Sequence, residues 1–422
     1  MVCVSETHIR ELQTKYFSYK MVKKHIFVLE HSRVPAHWCE EHDFLLQVNR
    51  DVHDLLAEYK SDIDQFFSTG EWERVKRRTN AYELVFTPMD AYPSVCDYTP
   101  TSRSFFKLWE MLHDFPEDFG LGRPGQKCAF IAEGPGGFIE AYAKWRGGAL
   151  KDDMLFTTTL LNANKRSVPV FKIPQWVSEG ARQMTVTYGP EGNGNVCSLR
   201  NLQGLVEEMG AGSFDVVTAD GGFDFSADFN GQEKMSTVLI MCEVLMALQL
   251  QRLGGTFVCK LYDMSMYRTL QIVHLLQRNY ARVHIVKPHT SRPANSEKYL
   301  VCTGYRGGEC ARQDTLMIET HLTRYKMSGV SLPLTLPLPL MYDLLEFNVY
   351  FVTRQIVYIA KTIQAIKKKD DAELEAAARE QVRKALKWCH KYNLPAINLQ
   401  SYRNLYCKPE MPDVSSRIRA DL

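Results

Sequence analysis

The chain has 422 residues, 45% of them hydrophobic and 24% charged, which excludes a disordered, collagenous or coiled-coil polypeptide and leaves room for up to about three domains. Its 51 Lys and Arg nearly cancel its 49 Asp and Glu, so the net charge of +2 does not draw in a polyanion, and such a partner has to be met by a local patch. Eleven scattered cysteines with no CxxC pair, a start without a signal-peptide core and the lack of any run of 18 apolar residues predict a soluble, intracellular protein.

Residues 1–100 read as a mainly helical extension, with Leu45, Val48, Val52, Leu55 and Leu56 at helical spacing. In it, Arg74, Lys76, Arg77 and Arg78 form a basic cluster that suits RNA phosphate, a nuclear signal or a solvated helix end. His31, His37, Cys39 and His42 crowd together but match no standard zinc spacing, and no metal is expected. From 101 to 310 the short apolar runs CAFIAEG (128–134), MLFTTTL (154–160), FDVVTADG (214–221), GTFVCKL (255–261) and VHIVKP (283–288) read as buried strands. Helical stretches separate them, notably 138–145 and 236–255, the latter read as ending at Gly254 and Gly255. The pattern predicts an α/β fold, a Rossmann-like and largely parallel sheet with helices on both faces. Residues 311–422 read as a mainly helical C-terminal region. Its stretch 371–391 carries Leu374, Ala378, Val382, Ala385 and Cys389 on one stripe, and Arg379, Arg383 and Lys387 on a face for solvent or RNA.

In FIAEGPGGFIEAYAKW, Gly134, Pro135, Gly136 and Gly137 stand where a strand ends and a helix begins, the place at which open α/β sheets bind ligands. Glycines let a backbone approach a ligand closely, and a helix N-terminus favours a carboxylate; a bare tight turn is the alternative. The spacing is neither GxGxxG nor GxxxxGK[ST], which argues against dinucleotides and ATP.

Four separated polar residues add to this. Asp220 and Lys260 end apolar strands and project toward the glycine loop; Glu297 precedes the apolar run YLVC, and Lys107 lies on a helix start ahead of the first central strand. A lysine at the end of a buried strand needs a carboxylate or solvent, so two lysines and two carboxylates on one rim point to chemistry.

These segments resemble the FtsJ-like family of S-adenosylmethionine-dependent RNA ribose 2′-O-methyltransferases, from about Thr101 to Gly307. SRSFFKL is similar to the segment carrying the family's first lysine, EGPGGF to its cofactor loop, ADGGFD to its acidic motif, FVCK to its second lysine and SRPANSEKYLVC to its glutamate motif. ADGGF and TSRPANSE are closer to mRNA cap methyltransferases of eukaryotes and large DNA viruses than to bacterial ribosomal-RNA enzymes.

The resemblance implies a catalytic tetrad of Lys107, Asp220, Lys260 and Glu297, and S-adenosylmethionine bound by Glu133, Gly134, Pro135, Gly136, Gly137, Phe138, Asn195 and Asp220. Phe130 stands where the family often has an acidic residue and Asn195 where an aspartate is expected, departures that bear on cofactor affinity. It further implies capped mRNA as substrate, a nuclear location, and Lys260 as base, its neutral form favoured by Lys107 and opposed by the two carboxylates. Arg292, Asn295 and Ser296, in the loop that delivers Glu297, are candidate RNA contacts, against a loop held by its own hydrogen bonds. Ribosomal or transfer RNA methylation, and a non-catalytic RNA-binding subunit, are the alternatives.

Overall fold

The computed structural model describes residues 21–23, 26–29, 42–89, 92–161, 168–223, 230–325, 331–369 and 371–397. The described residues begin with strands β1 (Met21–Lys23) and β2 (Ile26–Val28), then helices α1 (His42–Ser61), α2 (Glu71–Thr79) and α3 (Ser104–Asp114). Alternating elements follow: β3 (Lys127–Ile131), α4 (Gly137–Arg146), β4 (Met154–Thr158), β5 (Gln183–Val186), α5 (Leu199–Met209), β6 (Phe214–Ala219), α6 (Gln232–Leu250) and β7 (Gln251–Leu261). Then come α7 (Tyr267–Asn279), β8 (Tyr280–Val286), β9 (Lys298–Tyr305), α8 (Gly308–Arg324), α9 (Leu338–Lys368) and α10 (Asp371–Lys391). His31, His37 and Cys39 lie outside the described residues, as does the side chain of His42.

One nine-stranded sheet runs in the order β1-β2-β8-β9-β7-β6-β3-β4-β5. The five expected strands are present, and the sheet is α/β with helices on both faces. It is less parallel than the strand–helix alternation predicts: β7-β6-β3-β4-β5 is parallel, while β1, β2, β8 and β9 join by antiparallel ladders. β9 inserts between β7 and β8 because the loop 287–297 brings the chain straight back, with no crossover helix. β5 escaped notice because its four residues are half-buried or exposed and lack an apolar run.

The long apolar helix ends earlier than its glycines suggest. α6 stops at Leu250, and Gly254 and Gly255 lie within β7, where the register against β6 jumps from Phe214–Gln251 to Val216–Thr256. The two glycines mark a bulge rather than a helix end.

Two apolar cores flank the sheet. α6 and α7 cover one face, and α3 and α4 the other, with Trp388 and Tyr392 of the C-terminal region sealing its rim. A third cluster joins α1 and α2 to α9 through Leu56, Trp72, Val75, Val352, Ile356 and Ile359. The terminal regions thus close around one edge of the sheet, beside the loop that leads into β9.

Candidate active site

Order reverses between β3 and β6, both leaving the sheet at the same edge, and this is the switch point at which a crevice opens. Ala132 to Gly137 leave β3 there, Asp220 to Gly222 leave β6, and Lys260 closes β7. Lys260 is in register with Tyr299 of β9, so the antiparallel ladder carries Glu297 to the same rim. Lys107 comes from the first turns of α3, a helix held by the buried Phe105, Phe106, Leu108, Trp109 and Leu112.

The four residues form two ion pairs. Lys107 Nζ lies 2.7 Å from Glu297 Oε2, and Lys260 Nζ lies 3.2 Å from Asp220 Oδ1 and 2.7 Å from the Asp220 main-chain oxygen. Burial opposes the Lys260 ammonium, yet Asp220, Tyr262 and Glu297 hold it protonated well above the ordinary lysine range. Burial alone would raise Glu297, but Lys107, Lys260 and Lys287 around it hold its carboxyl down to about 2. In the free protein, then, the carboxylates outweigh the second ammonium, and Lys260 is a cation rather than a ready base.

Sequence patterning overlooked three further members of this rim. The Tyr299 hydroxyl donates to Asp220 Oδ1 at 2.9 Å, a partner that strand alternation from Glu297 points to, since residues two apart share a face. Glu243 on α6 accepts the Gly221 N–H at 3.1 Å, and burial pushes its carboxyl up to about 8. Gly222 is the third: a Cβ there would stand 2.6 Å from the Tyr262 hydroxyl and 3.1 Å from Lys260 Nζ. Only a residue without a side chain leaves the ammonium accessible on that side.

The glycine loop differs in detail from its reading in sequence. The carboxylate at the N-terminus of α4 is the chain's own: Glu133 Oε1 accepts from Phe138 N at 2.7 Å and Ile139 N at 3.1 Å. Phe138 is fully buried and its ring packs against Tyr299 in the core. Gly136, at φ +124°, would place a Cβ 2.3 Å from the Lys172 carbonyl, and one on Gly137 would lie 2.2 Å from the hydroxyls of Ser102 and Ser104. Packing of the chain against itself demands these glycines, before any ligand does.

A hydrogen-bonded path nonetheless runs from this loop along the carboxyl ends of the strands. Gly134 N donates to Thr159 Oγ1 at 3.2 Å, the chain continues through Leu160 and Leu161, and Leu161 N donates to the Asn193 carbonyl at 2.7 Å. Leu160 and Leu161 are 39% and 47% exposed, and half-buried Asn195 sits two residues beyond Asn193. Glu133 Oε2 is buried with no hydrogen-bond partner among the described residues, a polar atom still to be satisfied. This set fits a ligand with an amine at one end and a flat apolar ring at the other.

The loop before Glu297 is fixed from several directions. Arg292 is spent on buried Glu83, at 2.9 and 2.6 Å, and Ser296 Oγ donates to buried Asp263 at 2.9 Å. Both therefore hold the loop rather than face a ligand, and of the three expected RNA contacts only Asn295 is exposed. Lys287 Nζ donates to the main-chain oxygens of Asn295 and Glu297 at 2.6 and 2.7 Å, and Glu110 accepts from His289 N and Thr290 N.

Residues 100–305 match the model of the FtsJ-like methyltransferase family. The chain is 32% identical over 248 residues to "Cap-specific mRNA (nucleoside-2'-O-)-methyltransferase 1" of Mus musculus, covering 57% of this chain and 29% of the mouse protein. It is 30% identical over 309 residues to the Homo sapiens protein of the same name, covering 71% of this chain and 36% of the human one. A Caenorhabditis briggsae protein named "Inactive cap-specific mRNA (nucleoside-2'-O-)-methyltransferase 1B" is 31% identical over 253 residues, covering 55% and 28%. The chain thus spans about a third of the length of the curated relatives it matches.

Proposed function

We propose, from the premise that residues 100–305 form an FtsJ-like methyltransferase domain, that the chain transfers methyl from S-adenosylmethionine to the ribose 2′-hydroxyl of a cap-proximal mRNA nucleotide. The observation that carries this is the double pairing Lys107–Glu297 and Lys260–Asp220 at the switch point. Similarity alone does not decide for catalysis, since a relative named inactive stands at the same identity as those named enzymes. The filled tetrad is what favours catalysis. We assign residues 101–310 to the catalytic unit, with 1–100 and 311–422 as extensions that brace it, and a nuclear location, where mRNA 5′ ends are made.

S-adenosylmethionine supplies an electrophilic methyl on a sulfonium centre. Glu133, Gly134, Asn195 and Asp220 would hold it, with the exposed Leu160 and Leu161 offered to its ring, a pair that the sequence did not single out. Lys260 Nζ, freed on one side by Gly222, donates to the acceptor oxygen and stabilises the negative charge that develops there. Asp220, itself steadied by Tyr299, and the Lys107–Glu297 pair fix the direction of that donor. The hydroxyl proton leaves to solvent, either directly or through the small fraction of Lys260 that has first released its own proton to solvent. Alignment of hydroxyl and methyl contributes the remainder of the rate.

The test is methyl transfer from labelled cofactor to short RNAs with and without a methylated guanosine cap, at two salt concentrations, with the methylated ribose mapped. A cap is expected to raise kcat/KM sharply, because binding the remote cap orients the acceptor ribose. Equal rates on capped and uncapped RNA would move the assignment to ribosomal or transfer RNA. Absence of transfer to every RNA would favour the non-catalytic subunit.

A further inference from the structure

Basic side chains of the two terminal regions, far apart in sequence, line one groove. Two adjoining cavities of about 240 and 390 Å³ share Ala81, Tyr358 and Lys384. The first is bounded by Lys287 and Asn295, in the loop that delivers Glu297; the second runs on between α9 and α10 past the end of α2. Their walls carry seven Lys and Arg side chains against one acidic residue, Glu380, in a chain whose overall charge is almost balanced. Lys287 and Lys298 are directed into the protein, onto main-chain oxygens. Arg78, Arg354, Lys361, Lys368 and Lys384 line the groove itself, Lys384 at 3.7 Å from Glu380.

Helical geometry arranges these residues. Arg354, Tyr358, Lys361 and Lys368 recur at steps of four, three and seven along α9 and so share one face, over about 21 Å at 1.5 Å per residue. Lys384 on α10 and Arg78 on α2 face that stripe from the opposite walls. Near the catalytic loop the groove is also lined by aromatic rings, Tyr82 packed on His289 at 4.8 Å between centroids, with Tyr358 on the same wall. A line of cations with aromatic planes at one end suits a single-stranded polyanion bearing flat bases.

We infer that this α2/α9/α10 groove binds the phosphodiester backbone of the RNA substrate outside the reacting nucleotide, so that the helices beyond the matched methyltransferase segment form part of the substrate site. The inference rests on the RNA reading of the site for its ligand, and it is tested by binding alone. The groove supplies affinity and not sequence choice, because phosphate contacts position a strand without reading its bases.

The probe is a 5′-labelled, unstructured 20-nucleotide RNA, capped and uncapped, titrated with the full chain by fluorescence anisotropy at several salt concentrations. Lys361→Gln/Lys368→Gln, two exposed positions, is expected to weaken binding about tenfold at low salt. It should also reduce the slope of log K against log salt by about 1.4, that is about 0.7 per lost phosphate contact on a single strand. Lys361→Gln alone should show half the slope change, which separates loss of contacts from loss of fold. Unchanged affinity and slope in both variants would overturn the inference and leave the stripe as a solvated face. Failure of the wild-type chain to methylate any RNA would overturn the proposed function but not a salt-sensitive loss of binding in the variants.

Discussion

Lys260 Nζ is gripped twice by one residue, at 2.7 Å by the main-chain oxygen of Asp220 and at 3.2 Å by its carboxylate. The double contact fixes the ammonium relative to the β6 terminus, and hence relative to the switch-point crevice. Rotation of the Asp220 side chain alone does not release it. The acceptor hydroxyl is met by a donor whose position the sheet itself defines.

Removing that donor separates chemistry from cofactor binding. Lys260→Ala is expected to lower kcat by about 10²–10⁴-fold, the usual share of a positioned proton-transfer group. Cofactor affinity by calorimetry should stay within a few-fold, since Asp220 keeps its Tyr299 partner at 2.9 Å. Lys107→Ala and Glu297→Ala should fall short of additivity with it, because the groups act as a unit. Retained turnover in Lys260→Ala would remove this residue from the mechanism.

The charge state of Lys260 sets the pH profile. Its folded pKa lies above the ordinary lysine range, held there by Asp220, Tyr262 and Glu297 against burial. Below that pKa the neutral amine is a small fraction that grows tenfold per pH unit. If Lys260 Nζ takes the hydroxyl proton, log kcat rises with pH at a slope approaching 1 between about pH 7 and 9. Glu297, held down to about 2, stays ionised throughout and adds no step of its own. A flat profile under conditions where methyl transfer limits turnover would leave Lys260 the electrostatic role alone.

Gly137→Ala tests what the glycine loop is for. The new Cβ would press on the hydroxyls of Ser102 and Ser104 at 2.2 Å and on Phe105 N at 2.9 Å, at the start of the helix that carries Lys107. Overpacking of this kind costs about 1–3 kcal/mol, and a lowered Tm is expected together with reduced kcat as Lys107 shifts. Weakened cofactor binding with an unaltered Tm would instead restore the simpler view that the glycine only makes room for a ligand.

Much of this was legible in the chain because strand ends are legible. Asp220 and Lys260 each close an apolar run, and parallel strands leave a sheet at a common edge, so their convergence followed from period and polarity. Glu297 was harder to place, since its position depends on β9 pairing antiparallel between β7 and β8. Arg292 and Ser296 misled because their partners, Glu83 and Asp263, lie 209 and 33 residues away. Burial of a charge by such remote partners leaves no local signature. The burial of Phe138 against Tyr299 was illegible for a related reason: neighbourhood in a motif does not say which face a side chain takes.

Gln355 gives the most direct link from the C-terminal region to the chemistry. It is buried on α9, and its Nε2 donates to the Ala294 carbonyl at 3.0 Å and to Ser296 Oγ at 3.2 Å. Ser296 in turn donates to Asp263, which holds Lys60 of α1 at 2.6 Å, so two helices outside the matched segment clamp the residue before Glu297. Gln355→Met keeps the volume and removes both donations, leaving the Ala294 oxygen short of a partner at a cost of about 1–3 kcal/mol. As a positioning residue it should change kcat more than KM: a displacement of 1 Å at a reacting centre can cost about 100-fold, and a drop of about tenfold is expected here. Gln355→Asn, which keeps an amide N–H donor on a shorter arm, should recover part of that loss. A purely structural role would lower Tm in Gln355→Met while the folded fraction kept its full kcat, and that result would confine α9 to support of the fold.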